Sequence, residues 1–228
     1  QLHAGRFVTR LWRMVASLLL LIAILIGQSI YTSRQQHEEQ AVVETYSVAR
    51  VLESDIANLV DKVRLAIHTV ATEQERRLAG RGTDEQAARA YIAAIHANLP
   101  DVLAIRVTDA AGRPVYQSEF ADAPAPGIEE QPYFRKFREG HFSGLAISEP
   151  HRDGPDGPWV VDVARRYEHP DGRFAGAVVA PIPVERLVTM LAAADVGPSG
   201  AVSVRGENLG LIARHPPFPE RGRPYGAP

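Results

Sequence analysis

The stretch VVDVARRYEHPDGRFAGAVVAPIPVERL, residues 160–187, decides the fold of this protein. Two runs rich in β-branched and aromatic residues, Trp159–Tyr167 and Phe174–Ile182, are separated by the sequence HPDGR. Proline, aspartate and glycine favour a tight turn, so the two runs are predicted to pair as antiparallel strands. The segment Pro183–Ala193 follows and is predicted to form a helix. The stretch therefore predicts an antiparallel sheet with a helix attached to it.

The segments before this stretch supply more strands and three helices. VLAIRVTDA and RPVYQSE, on either side of Ala111-Gly112, are predicted to form a strand, turn, strand unit, and Leu145–Ser148 a further strand. IEEQPYFRKFREG is typical of a short helix with Pro132 in its first turn and Gly140 at its end. Two helices precede all of these, and two short strands in AVSVRG and LGLIAR end the series. Helices grouped around an antiparallel sheet define an α+β domain.

The N-terminal segment is predicted to span a membrane. Residues Met14–Tyr31 form an apolar run without charge, and eighteen helical residues reach roughly 27 Å, close to the thickness of a bilayer core. Arg6, Arg10 and Arg13 precede the run, so the N-terminus is predicted to be cytoplasmic and the remainder to lie outside. A cleaved signal peptide is the alternative interpretation.

The segment 32–79 is predicted to be one long helix, since it contains no proline or glycine between Gln35 and Leu78. An apolar stripe runs along it with alternating steps of four and three. This stripe predicts either packing against the helix's own domain or a homodimer through the long helix, and both remain open. The predicted order is a cytoplasmic N-terminus 1–13, a span 14–31, a long helix 32–79 and the α+β domain 80–228. The stripe consists of Val42, Tyr46, Ala49, Ile56, Val60, Val63, Ile67 and Val70 and is interrupted once, by Glu53.

Composition argues against several classes of function. A net charge of −2 with only two lysines argues against a nucleic-acid surface, and the absence of cysteine excludes disulfides and thiolate sites. The eight histidines form no i, i+4 pair, so no metal site is predicted. No GxSxG, GxxxxGK or GxGxxG string is present, so neither a cofactor nor a catalytic residue is predicted. Asp153 and Asp156 in HRDGPDGP are interpreted as a solvated turn rather than a cation site.

The order of these elements resembles the periplasmic Cache (PDC, PAS-like) sensor domains of bacterial membrane receptors. The most specific motifs are QPYFRKF at 131–137, ISEP at 147–150 and VDVARRYEHPDGRFAGAVVA at 161–180, and the likeness covers about residues 35–228. The segment DVGPSGAVSVRGENLGLIARHP is similar to sensor segments fused to diguanylate cyclase or histidine kinase domains. The resemblance implies a bacterial inner-membrane protein with a periplasmic sensor domain.

The resemblance also implies a small-ligand pocket between the short helix and the facing strands. An arginine fork can bind a carboxylate through two hydrogen bonds, so an organic acid is the favoured ligand. Neighbouring Arg165 and Arg166 alternate along a strand, so only one of them can face the pocket. The amino-acid-binding version of the family carries Arg followed by Trp-Tyr where this chain has residues 131–134, QPYF, which argues against an amino acid. The implied ligand-binding residues are Tyr133, Arg135, Ser148, Asp162, Arg165 and Arg106.

The sequence therefore predicts an extracytoplasmic ligand-sensing domain that signals to a cytoplasmic output domain and has no enzymatic activity of its own. Two alternatives stay open at this point. One is a membrane-anchored periplasmic enzyme, and the other is a dimerisation domain that binds no ligand. The second alternative predicts that Tyr133 and Arg165 can be replaced by alanine without an effect on signalling.

Overall fold

A computed structural model describes residues 28, 49–118, 126–140, 142, 144–197, 200–206 and 208–217. The chain divides into two compact units at Ala49 and Arg50, and the following description concerns the second unit. The predicted cytoplasmic segment 1–13 and the predicted span Met14–Tyr31 lie outside the described residues, apart from Gln28. No helix within the described ranges is long and apolar enough to cross a membrane.

Four helices and eight strands form the described part of this unit. Helix α1 covers 49–78. Helix α2 is Glu85–His96 and is capped by Asp84, whose carboxylate accepts a hydrogen bond from the Ala87 amide at 2.7 Å. Helix α3 is Pro132–Arg138 and α4 is Val184–Ala192. The strands are β1 Arg106–Thr108, β2 Pro114–Gln117, β3 Leu145–Ile147, β4 His151–Arg152, β5 Trp159–Glu168, β6 Phe174–Pro183, β7 Val202–Arg205 and β8 Leu211–His215.

The main sheet is antiparallel in the order β2-β1-β6-β5-β3, and β4 also pairs with β5. Strands β5 and β6 are its long central pair, with Asp162 opposite Pro181 and Arg166 opposite Ala177. The turn between them is closed by a 2.8 Å hydrogen bond from the His169 amide to the Arg173 carbonyl. The predicted α+β class and the predicted strand pair are therefore confirmed. Strands β7 and β8 form a separate hairpin.

Helix α3 covers one face of the main sheet. Successive side chains of a strand point to opposite faces, so Asp162, Ala164 and Arg166 of β5 share the face that α3 covers. The short helix needs this contact, because seven residues are too few to be stable alone in water. The buried cluster between helix and sheet comprises Ile128, Tyr133, Phe134, Phe137, Ala146, Ala164, Ala177 and Val179.

Helix α1 packs along the same domain. One face of the helix is buried from Leu52 to Val70, and Val63 and Ile67 on that face are fully buried within the single chain. Near its end, the Arg77 guanidinium lies 5.1 Å from the centre of the Tyr116 ring on β2. Of the two interpretations of the stripe, packing against its own domain therefore holds for the described part of the helix, while contact with a second copy stays a prediction.

One glycine allows β1 and β6 to approach closely. Gly176 has a φ of +154°, and a side-chain carbon there would lie 2.0 Å from the Thr108 carbonyl oxygen. The same carbonyl accepts a 2.8 Å hydrogen bond from the hydroxyl of Tyr167, opposite Gly176 on β5. Burial raises the pKa of Tyr167 to about 12, so its hydroxyl remains a donor. Any other residue at position 176 would have to push these strands apart.

Candidate ligand-binding site

Polar side chains from five parts of the fold meet on the sheet face that α3 covers. Arg106 comes from β1, Tyr133 from α3, Ser148 from the end of β3, His151 from β4 and Asp162 from β5. The register of the sheet explains why these side chains converge. Arg106 on β1 lies opposite Val179 on β6. His151 on β4 lies opposite Val160, the residue that precedes Asp162 on the same face of β5. Such a group of buried polar side chains on an otherwise apolar face is the usual composition of a small-molecule site.

Asp162 and Tyr133 form the centre of this site. The Tyr133 hydroxyl donates a 2.8 Å hydrogen bond to Oδ2 of Asp162, whose residue is only 2% exposed. Burial, together with the charge and hydrogen bond of Asp162, raises the pKa of Tyr133 well above its ordinary 10.0. Tyr133 is therefore a fixed neutral donor that ties the helix to the sheet.

Ser148 positions Asp162 through the backbone. Its amide donates to the Asp162 carbonyl at 2.9 Å, and its Oγ accepts from the Asp162 amide at 2.8 Å. The hydroxyl proton of Ser148 is donated to the Glu149 carbonyl at 2.8 Å. These bonds continue the β3–β5 pairing by one residue beyond Ile147. Ser148 is thus a positioning residue, since its donor and acceptor are both used within the fold.

His151 forms the outer wall of the site. Its Nε2 lies 3.3 Å from Oδ2 of Asp162, and the ring is 24% exposed. Burial alone would lower the pKa of His151, but the hydrogen bond and charge of Asp162 outweigh it and raise the pKa above 6.5. Protonation of His151 therefore strengthens its contact with Asp162.

The stability advantage of the wild type over His151→Gln is expected to be largest below pH 6.5. Because the pKa of His151 is raised in the folded state, its contribution is lost as the pH rises through that raised pKa. The free energy of unfolding of both proteins, measured between about pH 5.5 and 9, checks this. His169→Gln, in the turn after β5, is the matched control without a contact to Asp162. A wild-type advantage that does not change with pH would contradict the assignment.

Arg106 and Asp153 form a buried ion pair beside this group. The two terminal nitrogens of Arg106 donate to the two carboxylate oxygens of Asp153 at 2.6 and 2.8 Å. Both side chains are 7% exposed. Within the described part of the chain, the Nε–H of Arg106 is buried and has no acceptor. The arginine fork is therefore set in the geometry that binds a carboxylate, and its Nε–H stays unpaired.

Ser148, His151 and Asp162 are the residue types of a hydrolytic triad, but their geometry does not support that chemistry. The hydroxyl proton of Ser148 is directed at the Glu149 carbonyl, and His151 Nδ1 is 3.4 Å away from Oγ. A nucleophile must give its proton to the histidine, so this serine is not activated. Among the residues that the structure describes, no group of three His, Asp or Glu side chains could hold a metal ion.

The structure brings together four of the six residues that the sequence singled out, namely Arg106, Tyr133, Ser148 and Asp162. Arg135 is exposed, because the face of α3 that meets the sheet carries residues 133, 134 and 137. Arg165 lies on the opposite sheet face, because it is three residues from Asp162 on β5 and an odd separation reverses the face. Both arginines are therefore away from the site.

Arg166, the residue after Arg165 on β5, lies on the same sheet face as Asp162. Successive side chains of a strand alternate between the two faces, so only one of these two arginines can do so. Arg166 is occupied there by an ion pair with Glu168 at 3.0 Å and lies 5.4 Å from the centre of the Phe174 ring. It therefore contributes to packing at the far end of the sheet face rather than to the site.

Sequence reasoning missed His151 and Asp153. Both fall in HRDGPDGP, which was interpreted as a solvated turn because of its glycines and prolines. The structure corrects this interpretation, since residues 151–152 form β4 against β5 and the Asp153 side chain is buried against Arg106. The sequence did contain one signal for them: His151 and Asp153 come shortly before the predicted strand that carries the candidate residue Asp162.

No family model matches this chain, and neither does any curated protein. Solved structures do match. The extracellular domain of the putative histidine kinase rpHK1S-Z16 is 27% identical, with 70% of this chain and 67% of that chain covered and a TM-score of 0.55. The ligand-binding domain of the Pseudomonas aeruginosa amino acid chemoreceptor PctC in complex with GABA is 14% identical, with 76% of each chain covered and a TM-score of 0.59. The ligand-binding domain of the Pseudomonas fluorescens chemoreceptor CtaA in complex with L-isoleucine is 19% identical, with 80% of this chain and 72% of that chain covered and a TM-score of 0.58.

The fold is therefore that of the extracellular sensor domains of histidine kinases and chemoreceptors. These neighbours are sensor and receptor domains, and the resemblance to Cache (PDC) sensor domains seen in the sequence is confirmed at the level of fold.

Proposed function

We propose that this chain is the periplasmic sensing domain of a bacterial inner-membrane receptor and binds a small organic acid beside Arg106, Tyr133 and Asp162. The observation that carries the proposal is the buried Arg106 fork. It holds the carboxylate of Asp153 through two short hydrogen bonds and so has the geometry that a ligand carboxylate needs. A buried arginine with an unused donor is costly unless a ligand or function compensates for it.

The other side chains of the site favour a second polar group on the ligand. Asp162 is a buried hydrogen-bond acceptor that holds Tyr133 and His151, so a ligand hydroxyl or ammonium would find an acceptor there. The favoured ligand is therefore an organic acid with a hydrogen-bond donor a few atoms from its carboxylate. The ligands in the PctC and CtaA structures, GABA and L-isoleucine, each combine a carboxylate with an ammonium group.

Signalling would use a two-state equilibrium that the ligand biases through its different affinity for the two states. Helix α1, which packs along the domain, follows the predicted membrane span in the sequence and would carry the change to a cytoplasmic histidine kinase or diguanylate cyclase. A homodimer through α1 would use its exposed side, where Val51 and Leu65 are 59% and 67% exposed. Val63 and Ile67 of the same stripe could not contribute to such a dimer contact, because both are buried inside their own domain.

Ligand binding is expected to raise the melting temperature of the full chain with at least one compound in a panel of succinate, L-malate, GABA and L-isoleucine. A ligand at 100 times its Kd adds about 2.7 kcal/mol of stability. Tyr133→Phe keeps the ring but removes the hydrogen bond that positions Asp162, worth about 1.5–3 kcal/mol of stability, and the affinity should fall because Asp162 is the acceptor proposed for the ligand.

Arg135→Gln is the matched control on the same helix, because Arg135 is exposed and away from the site. It should bind like the wild type. The absence of a shift with every compound, or equal losses in Arg135→Gln and Tyr133→Phe, would contradict the proposed function.

A domain that binds no ligand is the second candidate, and one observation favours it. Asp153 satisfies both terminal nitrogens of Arg106 from within the chain, so the pair does not need a ligand for its stability. Under this alternative the panel gives no shift, and Tyr133→Phe leaves signalling unchanged. A membrane-anchored enzyme is not favoured, because Ser148 uses its hydroxyl proton in a backbone hydrogen bond.

A further inference from the structure

Asp153 reaches the buried site from a turn at the surface. The turn between β4 and β5 is closed by a 3.0 Å hydrogen bond from the Asp153 amide to the Pro158 carbonyl. Gly154 has a φ of +83° with open space beside its Cα, and the Arg152 guanidinium donates to the Gly157 carbonyl at 2.9 Å. The turn is thus held by its own bonds, and its only described ion pair with the sheet face is that of Asp153 with Arg106.

This geometry makes Asp153 equivalent to a tethered ligand. A carboxylate on a short connection has an effective concentration in the millimolar range or above at its partner. A free carboxylate that contacts Arg106 alone gains no more than Asp153 does, so it cannot displace Asp153 at lower concentrations. A ligand that also contacts Tyr133 or Asp162 gains additional hydrogen bonds that Asp153 does not make with them.

We infer that Asp153 is a specificity-determining residue, an internal competitor that occupies the Arg106 fork until a ligand with two contact points replaces it. The inference rests on the proposed function and deepens it. Simple monocarboxylates are rejected because they match only one of the two contacts. The apparent affinity for the accepted ligand is the intrinsic affinity multiplied by the fraction of molecules in which the fork is free, so Asp153 lowers it.

Acetate is the probe that tests this inference, because it is a carboxylate with a single point of contact. In Asp153→Ala, acetate is expected to raise the melting temperature of the full chain in a saturable manner, while the wild type shows no shift over the same range. Asp156→Ala is the matched control, since Asp156 is an exposed carboxylate in the same turn. It should behave like the wild type.

The double variant Asp153→Ala/Arg106→Gln is expected to lose the acetate effect, because the fork is then absent. A shift of equal size in the single and the double variant would overturn the inference, and so would the absence of a shift in Asp153→Ala. Asp153→Asn keeps the size of the side chain but loses its charge, and it is expected to show the same effect with a smaller shift, because its amide oxygen can still accept one hydrogen bond from Arg106. If neither Asp153→Ala nor Asp153→Asn folds in chloride buffer, both are refolded in acetate buffer. Recovery of folded protein in acetate supports the inference, and the absence of recovery overturns it.

The two claims fail in different ways. If no panel compound binds the wild type but acetate stabilises Asp153→Ala, the proposed function fails while Asp153 still closes a carboxylate fork. If a panel compound binds the wild type but acetate has no effect on Asp153→Ala, the proposed function stands and the role of Asp153 is wrong. If both hold, Asp153→Asn should bind the panel ligand at least about tenfold more tightly than the wild type does.

Discussion

Arg106→Met is expected to lower the free energy of unfolding by about 3–5 kcal/mol and to abolish binding of any carboxylate ligand. Methionine has a similar length but no donor, so Asp153 would remain buried without its partner. Its carboxylate would then have to lose hydration without compensation or take up a proton. Urea unfolding at pH 7 measures the change in stability, and the ligand panel measures the loss of binding.

Arg113→Met is the matched control for this substitution. Arg113 pairs with Asp109 at 2.8 Å, but its side chain is 77% exposed, and surface pairs contribute about 0–1 kcal/mol. The double variant Arg106→Met/Asp153→Leu should recover much of the lost stability, because replacing a whole buried pair by apolar groups is often neutral. An Arg106→Met variant as stable as Arg113→Met would show that the pair is not buried as described.

Phe134→Ala is expected to cost about 3–5 kcal/mol, the usual range for removing a fully buried phenylalanine side chain. The ring is 0% exposed and meets Phe174 edge to face, with 5.5 Å between the ring centres. Without it, α3 loses one of its two fully buried rings and Tyr133 is held less firmly opposite Asp162. Thermal unfolding should show the loss of stability, and ligand affinity should fall with it.

Phe142→Ala serves as the control with the same change in side chain. Phe142 is 39% exposed and stacks on Phe137 with 6.0 Å between the ring centres, so about 1 kcal/mol or less is expected. Equal losses in the two variants would mean that the helix is not anchored through Phe134.

The helix α1 and the turn before β5 illustrate where sequence reasoning reached its limit. The stripe along α1 predicted a buried face, but a stripe at this spacing does not distinguish its own sheet from a second chain. The turn HRDGPDGP has the composition of a solvated loop, yet a two-residue strand and a buried aspartate lie at its start. In both cases the missing information was which other segment lies opposite.

Among the candidate residues, the sequence motifs identified Tyr133 and Asp162, which the structure joins by one hydrogen bond. Arg135 and Arg165 were equally plausible by residue type. A shift of one residue on a strand reverses the sheet face, so a small uncertainty in register decides whether an arginine faces the site. Only the pairing of β5 with its neighbouring strands, which places Asp162 opposite Pro181, fixes that register.

The sequence by itself determined the central strand pair and the short helix, because both follow from local patterns. The predicted runs Trp159–Tyr167 and Phe174–Ile182 each fall one residue short of the strands observed, and the helix has Pro132 in its first turn as expected. The tertiary structure alone decided that the Arg106 fork holds Asp153. These residues are 47 positions apart, and their contact arises only when β1, β6 and β5 lie side by side, which no local pattern encodes.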